Sequence, residues 1–209
     1  MENIKRRSPV VFKSRPVQTE IRGHWTVTLE YAEEGSGPYL TDLSHRTRWG
    51  VQDGNLNAIQ PWGIAIPDIP GQSVWKNGFL MNRMNRTQAS VWHLAGKTPD
   101  APDDAAYTET TDATMFIALM GRETFAITEK LTSLDLTDKA GKAPFLLQGP
   151  IAQVPCQIVS FAKRGKQRGI LLTCARGYAQ SMIGAILEAG AEFGLRPAGE
   201  RVFSKFLSP

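Results

Sequence analysis

Apolar positions along this chain recur mostly at every second residue, which predicts strands, and follow a helical period in only two places. Residues 24–31 put Trp25, Val27, Leu29 and Tyr31 on one face, the alternation of a half-buried strand. Residues 39–43 and 49–51 read as short extended pieces beyond a loop rich in glycine and glutamate. Residues 73–81 and 88–94 are strand-like, with 82–87 as the turn between them. Residues 112–121 form a strongly apolar strand, and 155–161 with 169–174 flank a basic turn at 163–168, which predicts a hairpin. Helical spacing governs 122–134, through Phe125, Ile127, Leu131 and Leu134, and 178–193, through Met182, Ile183, Ile186, Leu187 and Phe193. Gly194 supplies a stop after the second helix, and Pro197 follows soon after.

This order predicts an α+β protein. Residues 1–22 read as a basic N-terminal arm, 23–96 as a first α+β module, 97–105 as a proline- and aspartate-rich linker loop, and 106–209 as a second module in one compact unit with the first. Thr41-Asp42 and Thr111-Asp112 open corresponding strand regions at an offset of 70, while Gly71 and Gly149 precede the two hairpins at an offset of 78. Two pseudo-repeated strand–helix–hairpin modules are the economical reading. Cys156 and Cys174 lie symmetrically about Gly165, so an antiparallel hairpin places them face to face. Two buried thiols are the state a reducing compartment favours, with a disulfide geometrically open.

Composition narrows the function classes. Of 209 residues, 42% are hydrophobic and 21% charged, ordinary values for a globular chain. The net charge of +4 gathers in two groups, Lys5, Arg6, Arg7, Lys13 and Arg15, then Lys163, Arg164, Lys166 and Arg168. The second contains no aromatic platform, which argues against nucleic acid. The longest apolar runs, 116–120 and 170–175, are strand-sized, far below the roughly 20 residues of a membrane span. The first residues lack the apolar stretch of a secretory leader, so a cytoplasmic location is expected. Two cysteines and three histidines show no metal-ligand spacing, and no GxGxxG, Walker or CxxC sequence signals a nucleotide or flavin site.

Few residues carry candidate chemistry. Asp42, Ser44 and His45 have the residue types of a triad, but a strand points 42 and 44 to one face and 45 to the other, so capping and turn hydrogen bonds are expected of them. No catalytic residue is assigned. Arg83 and Arg86, in the first hairpin, suit an anionic ligand such as a polyglutamate tail, the alternative being a solvated turn. Trp75 and Trp92, on its two strands, either wall a pterin-sized pocket or serve the core.

Six segments carry a family resemblance. Residues 39–45, Tyr-Leu-Thr-Asp-Leu-Ser-His, resemble the DLSH/DVSH segment of the glycine-cleavage T-protein (aminomethyltransferase) superfamily. Gly71-Gln72-Ser73-Val74-Trp75 through Val91-Trp92-His93-Leu94 resembles its GQxxYT…VYRL hairpin, and Phe193-Gly194-Leu195-Arg196-Pro197-Ala198-Gly199 its FGLxPAG segment. Residues 132–136, 152–155 and 176–179 look most like the gamma subunits of heterotetrameric sarcosine oxidase, short members of that superfamily. The resemblance spans roughly residues 23–203 and implies a T-protein-like folate-binding fold without the C-terminal barrel.

Departures from the family pattern shape the functional expectation. The acidic pair that sits near the folate in the transferases falls on Thr87 and Gln88, and the Arg-Asp pair after the PAG segment falls on Phe203 and Ser204. What the resemblance then implies is a non-catalytic, gamma-like accessory subunit of a sarcosine-oxidase-like flavoprotein complex in one-carbon and folate metabolism. Its partners would be larger subunits carrying flavin and NAD, with tetrahydrofolate as a candidate ligand of this chain and Phe203 and Phe206 as candidate interface residues. The alternative is a stand-alone folate-binding protein with weak or no transferase activity.

Overall fold

The computed structural model describes residues 5–137, 143–162 and 168–208, so the basic turn expected at 163–168 lies outside the described residues except for Arg168. Its strands are β1 (Pro16–Arg22), β2 (Trp25–Tyr31), β3 (Tyr39–Asp42), β4 (Arg48–Gln52), β5 (Ser73–Lys76), β6 (Phe79–Arg83), β7 (Gln88–His93), β8 (Tyr107–Glu109), β9 (Thr114–Met120), β10 (Phe145–Ile151), β11 (Val154–Ala162), β12 (Arg168–Ala175) and β13 (Arg196–Ala198). The α-helices among the described residues are α1 (Thr124–Glu129), α2 (Ala179–Gly190) and α3 (Glu200–Leu207). The chain is therefore α+β with a mixed sheet, since β13 joins β3 in parallel while the other pairs are antiparallel. No helix among the described residues is long and apolar enough to cross a membrane.

Period-two patterning builds three layers. The six-stranded sheet runs β10-β11-β12-β9-β3-β13, and the five-stranded sheet runs β5-β6-β7-β4-β8. Central strand β9 is apolar at every position after Thr114 because both its faces are covered. Met115, Ile117 and Leu119 pack with Phe125 and Ile127 of α1 and Met182, Ile183 and Ile186 of α2. Phe116, Ala118 and Met120 pack the other way, against Leu80 and Trp92 of the five-stranded sheet and Phe203 of α3. The far face of that second sheet, with Trp49, Val51, Phe79, Met81 and Val91, is closed by Leu56, Ile64 and Ile66 from the long loop after β4.

Several elements follow the sequence pattern, and several depart from it. The facing of the cysteines holds: Cys156 pairs with Cys174 across β11 and β12, and both are free, buried thiols. The stretch 73–81 is two strands, because Asn77 (φ 52°) and Gly78 (φ 83°) make a two-residue turn with both central residues left-handed. The helix expected over 122–134 stops at Glu129. Beyond it Leu131 O accepts from Ala152 N (2.8 Å) and Thr132 Oγ1 donates to Pro150 O (2.7 Å), tying the chain to the β10–β11 hairpin instead. The basic arm contains a strand, β1, which pairs with β2 although every residue from Pro16 to Ile21 is exposed. Its pairing partner, not burial, makes it a strand. Among the described residues the half before residue 97 holds short 3₁₀ turns and no α-helix.

Candidate functional site

Two buried charges organise the polar architecture. Glu200 opens α3, and its carboxylate meets three bases: His45 Nε2 at 2.8 Å, Arg46 and Arg22. It is buried, with its side chain 3% exposed, beside a nearly buried His45 (7%) and Arg46 (13%). Burial works to raise its carboxyl, but the His45 hydrogen bond and the Arg46, His45 and Arg22 charges outweigh that and hold it at about 2. The backbone positions each member. Ser44 Oγ accepts from Phe116 N (3.2 Å), Leu43 N donates to Phe116 O (2.8 Å) and Arg46 N donates to Leu43 O (2.8 Å), so the turn after β3 presents residues 45 and 46 to α3. Gly199 sets the helix start, because a Cβ there would lie 2.2 Å from the Leu29 carbonyl of β2.

Arg48, 1% exposed, is the second buried charge. Its guanidinium donates to Thr111 O (2.8 Å), Thr114 O (3.0 Å), Thr114 Oγ1 (3.2 Å), Arg46 O (2.5 Å) and Ser44 O (3.4 Å), and lies 5.0 Å over the Phe116 ring. With no carboxylate in hydrogen-bond contact, burial pulls its pKa down to about 9. It clasps the turns on either side of the sheets and spends its donors doing so.

Between the two large sheets lies a cavity of about 250 Å³. Gln88, Ser90 and Trp92 of β7 line one side, and Gln157 and Thr173 of β11 and β12 the other. Gln157 Oε1 there has no hydrogen-bond partner among the described residues. Arg48 also borders the cavity, with its donors engaged by the turns, so the lining suits a neutral, polar, partly flat ligand better than a charged one.

The sequence-predicted residues separate. Trp92 is buried against Phe116, ring centroids 5.1 Å apart, and borders the intersheet cavity. Trp75 is half-buried on β5, with Leu80 of β6 between it and Trp92, and is not among the cavity's lining residues. Arg83 is not a solvated turn residue. It is 6% exposed and donates to Asn85 O (2.7 Å), Arg86 O (2.8 Å), Asn57 Oδ1 (3.1 Å) and Pro67 O (3.4 Å), locking the β6–β7 turn and the preceding loop. Arg86 is exposed at the turn tip. Phe203 is 1% exposed inside the core between sheets, and Phe206 packs over Gly169. Of the three expected to make capping and turn hydrogen bonds, only Asp42 does so, its Oδ1 accepting from Ser44 N (2.9 Å); Ser44 and His45 instead bond to distant partners, Phe116 and Glu200. The Glu200 cluster escaped sequence reasoning because its members come from positions 22, 45, 46 and 200, with no local spacing to reveal them.

No family model matches the sequence, and no curated protein matches it. Among solved structures, the fold is similar to a chain of the heterotetrameric sarcosine oxidase from Corynebacterium sp. U-96, determined in complex with pyrrole 2-carboxylate. The TM-score is 0.62 at 13% identity, covering 77% of this chain and 88% of that one. The likeness is one of fold.

Proposed function

We propose that this chain is a non-catalytic, gamma-like accessory subunit of a sarcosine-oxidase-like flavoprotein complex in one-carbon and folate metabolism. The observation that supports it is the fold likeness, which extends over 88% of a chain that works within a heterotetramer. On this reading the two halves are diverged modules of a T-protein-like folate-binding fold, flavin and NAD are carried by larger partner subunits, and the complex is cytoplasmic. The surface that best fits docking is β1, with Val17 58% and Ile21 68% exposed on a strand whose outer face no described residue buries. Phe203 and Phe206 then act from inside, holding α3 in place. Purification at native expression tests the reading. A yellow, flavin-bearing large subunit recovered at fixed stoichiometry is the expected result, and a colourless protein recovered alone overturns it.

The intersheet cavity favours a second reading, a stand-alone folate-binding protein. Trp92 and the amide and hydroxyl groups around it offer a flat wall and hydrogen bonds to a pterin-sized ring. Titration with tetrahydrofolate, followed by tryptophan quenching in wild type and in Ser90→Leu, distinguishes the two. Saturable quenching lost in the variant supports the folate binder, and no quenching removes it.

A further inference from the structure

A second cavity, of about 620 Å³, opens where the β1–β2 hairpin turn meets the loops after β3 and β7. That volume falls within the range of roughly 300–1,000 Å³ typical of small-molecule sites. Its walls include Arg6, Arg22, Arg46, Lys97, His24 and His45, and no Asp or Glu is among its lining residues. The four permanent cations come from four separate segments, so the fold assembles the charge at this place; local sequence does not.

The cations are held in position, and their donors are incompletely used. Arg6 N donates to His24 O (2.8 Å), and its guanidinium stands 5.9 Å over the Trp25 ring. Glu200 fixes both Arg22 and Arg46 from behind. Lys97 makes no hydrogen bond or ion pair with any described residue.

The local counter-charges do not close the cavity to an anion. Asp112 and Glu109 meet Arg6 at 3.2 and 3.9 Å, and Glu20 meets Arg22 at 2.8 Å, but these carboxylates are about half exposed and their pairs correspondingly weak. Glu200, the one buried carboxylate among the described residues, is shared three ways. A neighbouring group responds to the surplus: burial first, then the Arg46 charge, lowers the pKa of His93.

We infer that this cavity binds a small oligoanion, a molecule bearing two or more carboxylate or phosphate groups. Arginine forks match both groups bidentately, and cations on separate segments reward a ligand with more than one anionic end. A nucleic acid is the poorer fit, because Arg6 already covers the face of Trp25, the aromatic that a base would stack on. The inference stands apart from the accessory-subunit reading, since it concerns only this chain's own groups.

Calorimetric titration of the purified chain with inorganic pyrophosphate and with citrate, at low and high sodium chloride, tests it. The expected result is saturable one-to-one binding that weakens with salt, and about tenfold or more in the double variant Arg6→Gln/Lys97→Gln. Binding of pyrophosphate alone assigns a phosphate ligand, and of citrate alone a carboxylate ligand; either supports the site. Arg46→Gln, checked by thermal melting, should abolish binding, and if it fails to fold the exposed double variant decides. Neither probe saturating by about 10 mM, binding unchanged in the double variant, or binding of a single-stranded oligonucleotide while both small probes fail, each overturns the proposal.

Discussion

Glu200 and Arg48 are equally cut off from water, at 2% and 1% exposure, yet their surroundings treat them in opposite ways. The carboxylate is met by full positive charges, which hold it ionised more firmly than water would. The guanidinium is met by carbonyl dipoles and a ring face, which satisfy its hydrogen bonds but leave its charge only partly compensated. Burial alone therefore does not set the behaviour of a charge; the kind of partner does. Glu200 joins three elements through ion pairs, and Arg48 joins two turns through their backbone.

The largest test of this contrast is Glu200→Gln. Removing that anion leaves the nearly buried His45 and Arg46 without a carboxylate, while Arg22 keeps Glu20, and a loss of about 3–5 kcal/mol in urea unfolding is expected. Next comes acid. The native carboxyl at about 2 lies below its ordinary 4.5, so the unfolded chain binds more protons between those values. The contribution is whole above about pH 4.5, fades as pH falls toward 2, and amounts to roughly 3 kcal/mol. Unfolding midpoints measured across this window should slope less in Glu200→Gln than in wild type; equal slopes would remove Glu200 as the source.

Arg48→Met probes the other side. Methionine keeps an unbranched apolar stem but not the guanidinium, so the expected loss of about 2–3 kcal/mol comes mainly from carbonyls left without donors. A neutral result would mean that the turns at 44–46 and 111–114 hold without the clasp. The smallest effect is expected for Thr114→Val, which takes one acceptor from Arg48 Nε at the cost of about 1 kcal/mol by thermal melting.

How much of this was legible follows from how local each feature is. Strand β9, the β11–β12 pairing with its facing cysteines, and α2 with the 3₁₀ turn Ala191–Phe193 that left-handed Gly194 closes all follow from periods and turn residues written within one stretch of sequence. The Asn77-Gly78 turn was also written there, between two alternating runs, and a reading for paired left-handed residues would have split 73–81 correctly. Helix α3 carried its signal in Val202, Phe203 and Phe206, whose spacing is helical over too few residues to stand alone. Arg83 looked like a surface charge because its partners, Asn57 and Pro67, lie in a loop that sequence alone does not fold back. The Glu200 cluster and the 620 Å³ cavity lay furthest out of reach, since each exists only where distant segments converge.

Gly199 gives the cluster a weak point that carries no charge. The β2 backbone passes so close that any side chain at 199 must push β2 and the start of α3 apart. In a library of all single substitutions selected for folded protein, position 199 should therefore be as empty of variants as position 200, and an alanine there should do as much harm as the loss of the carboxylate next door.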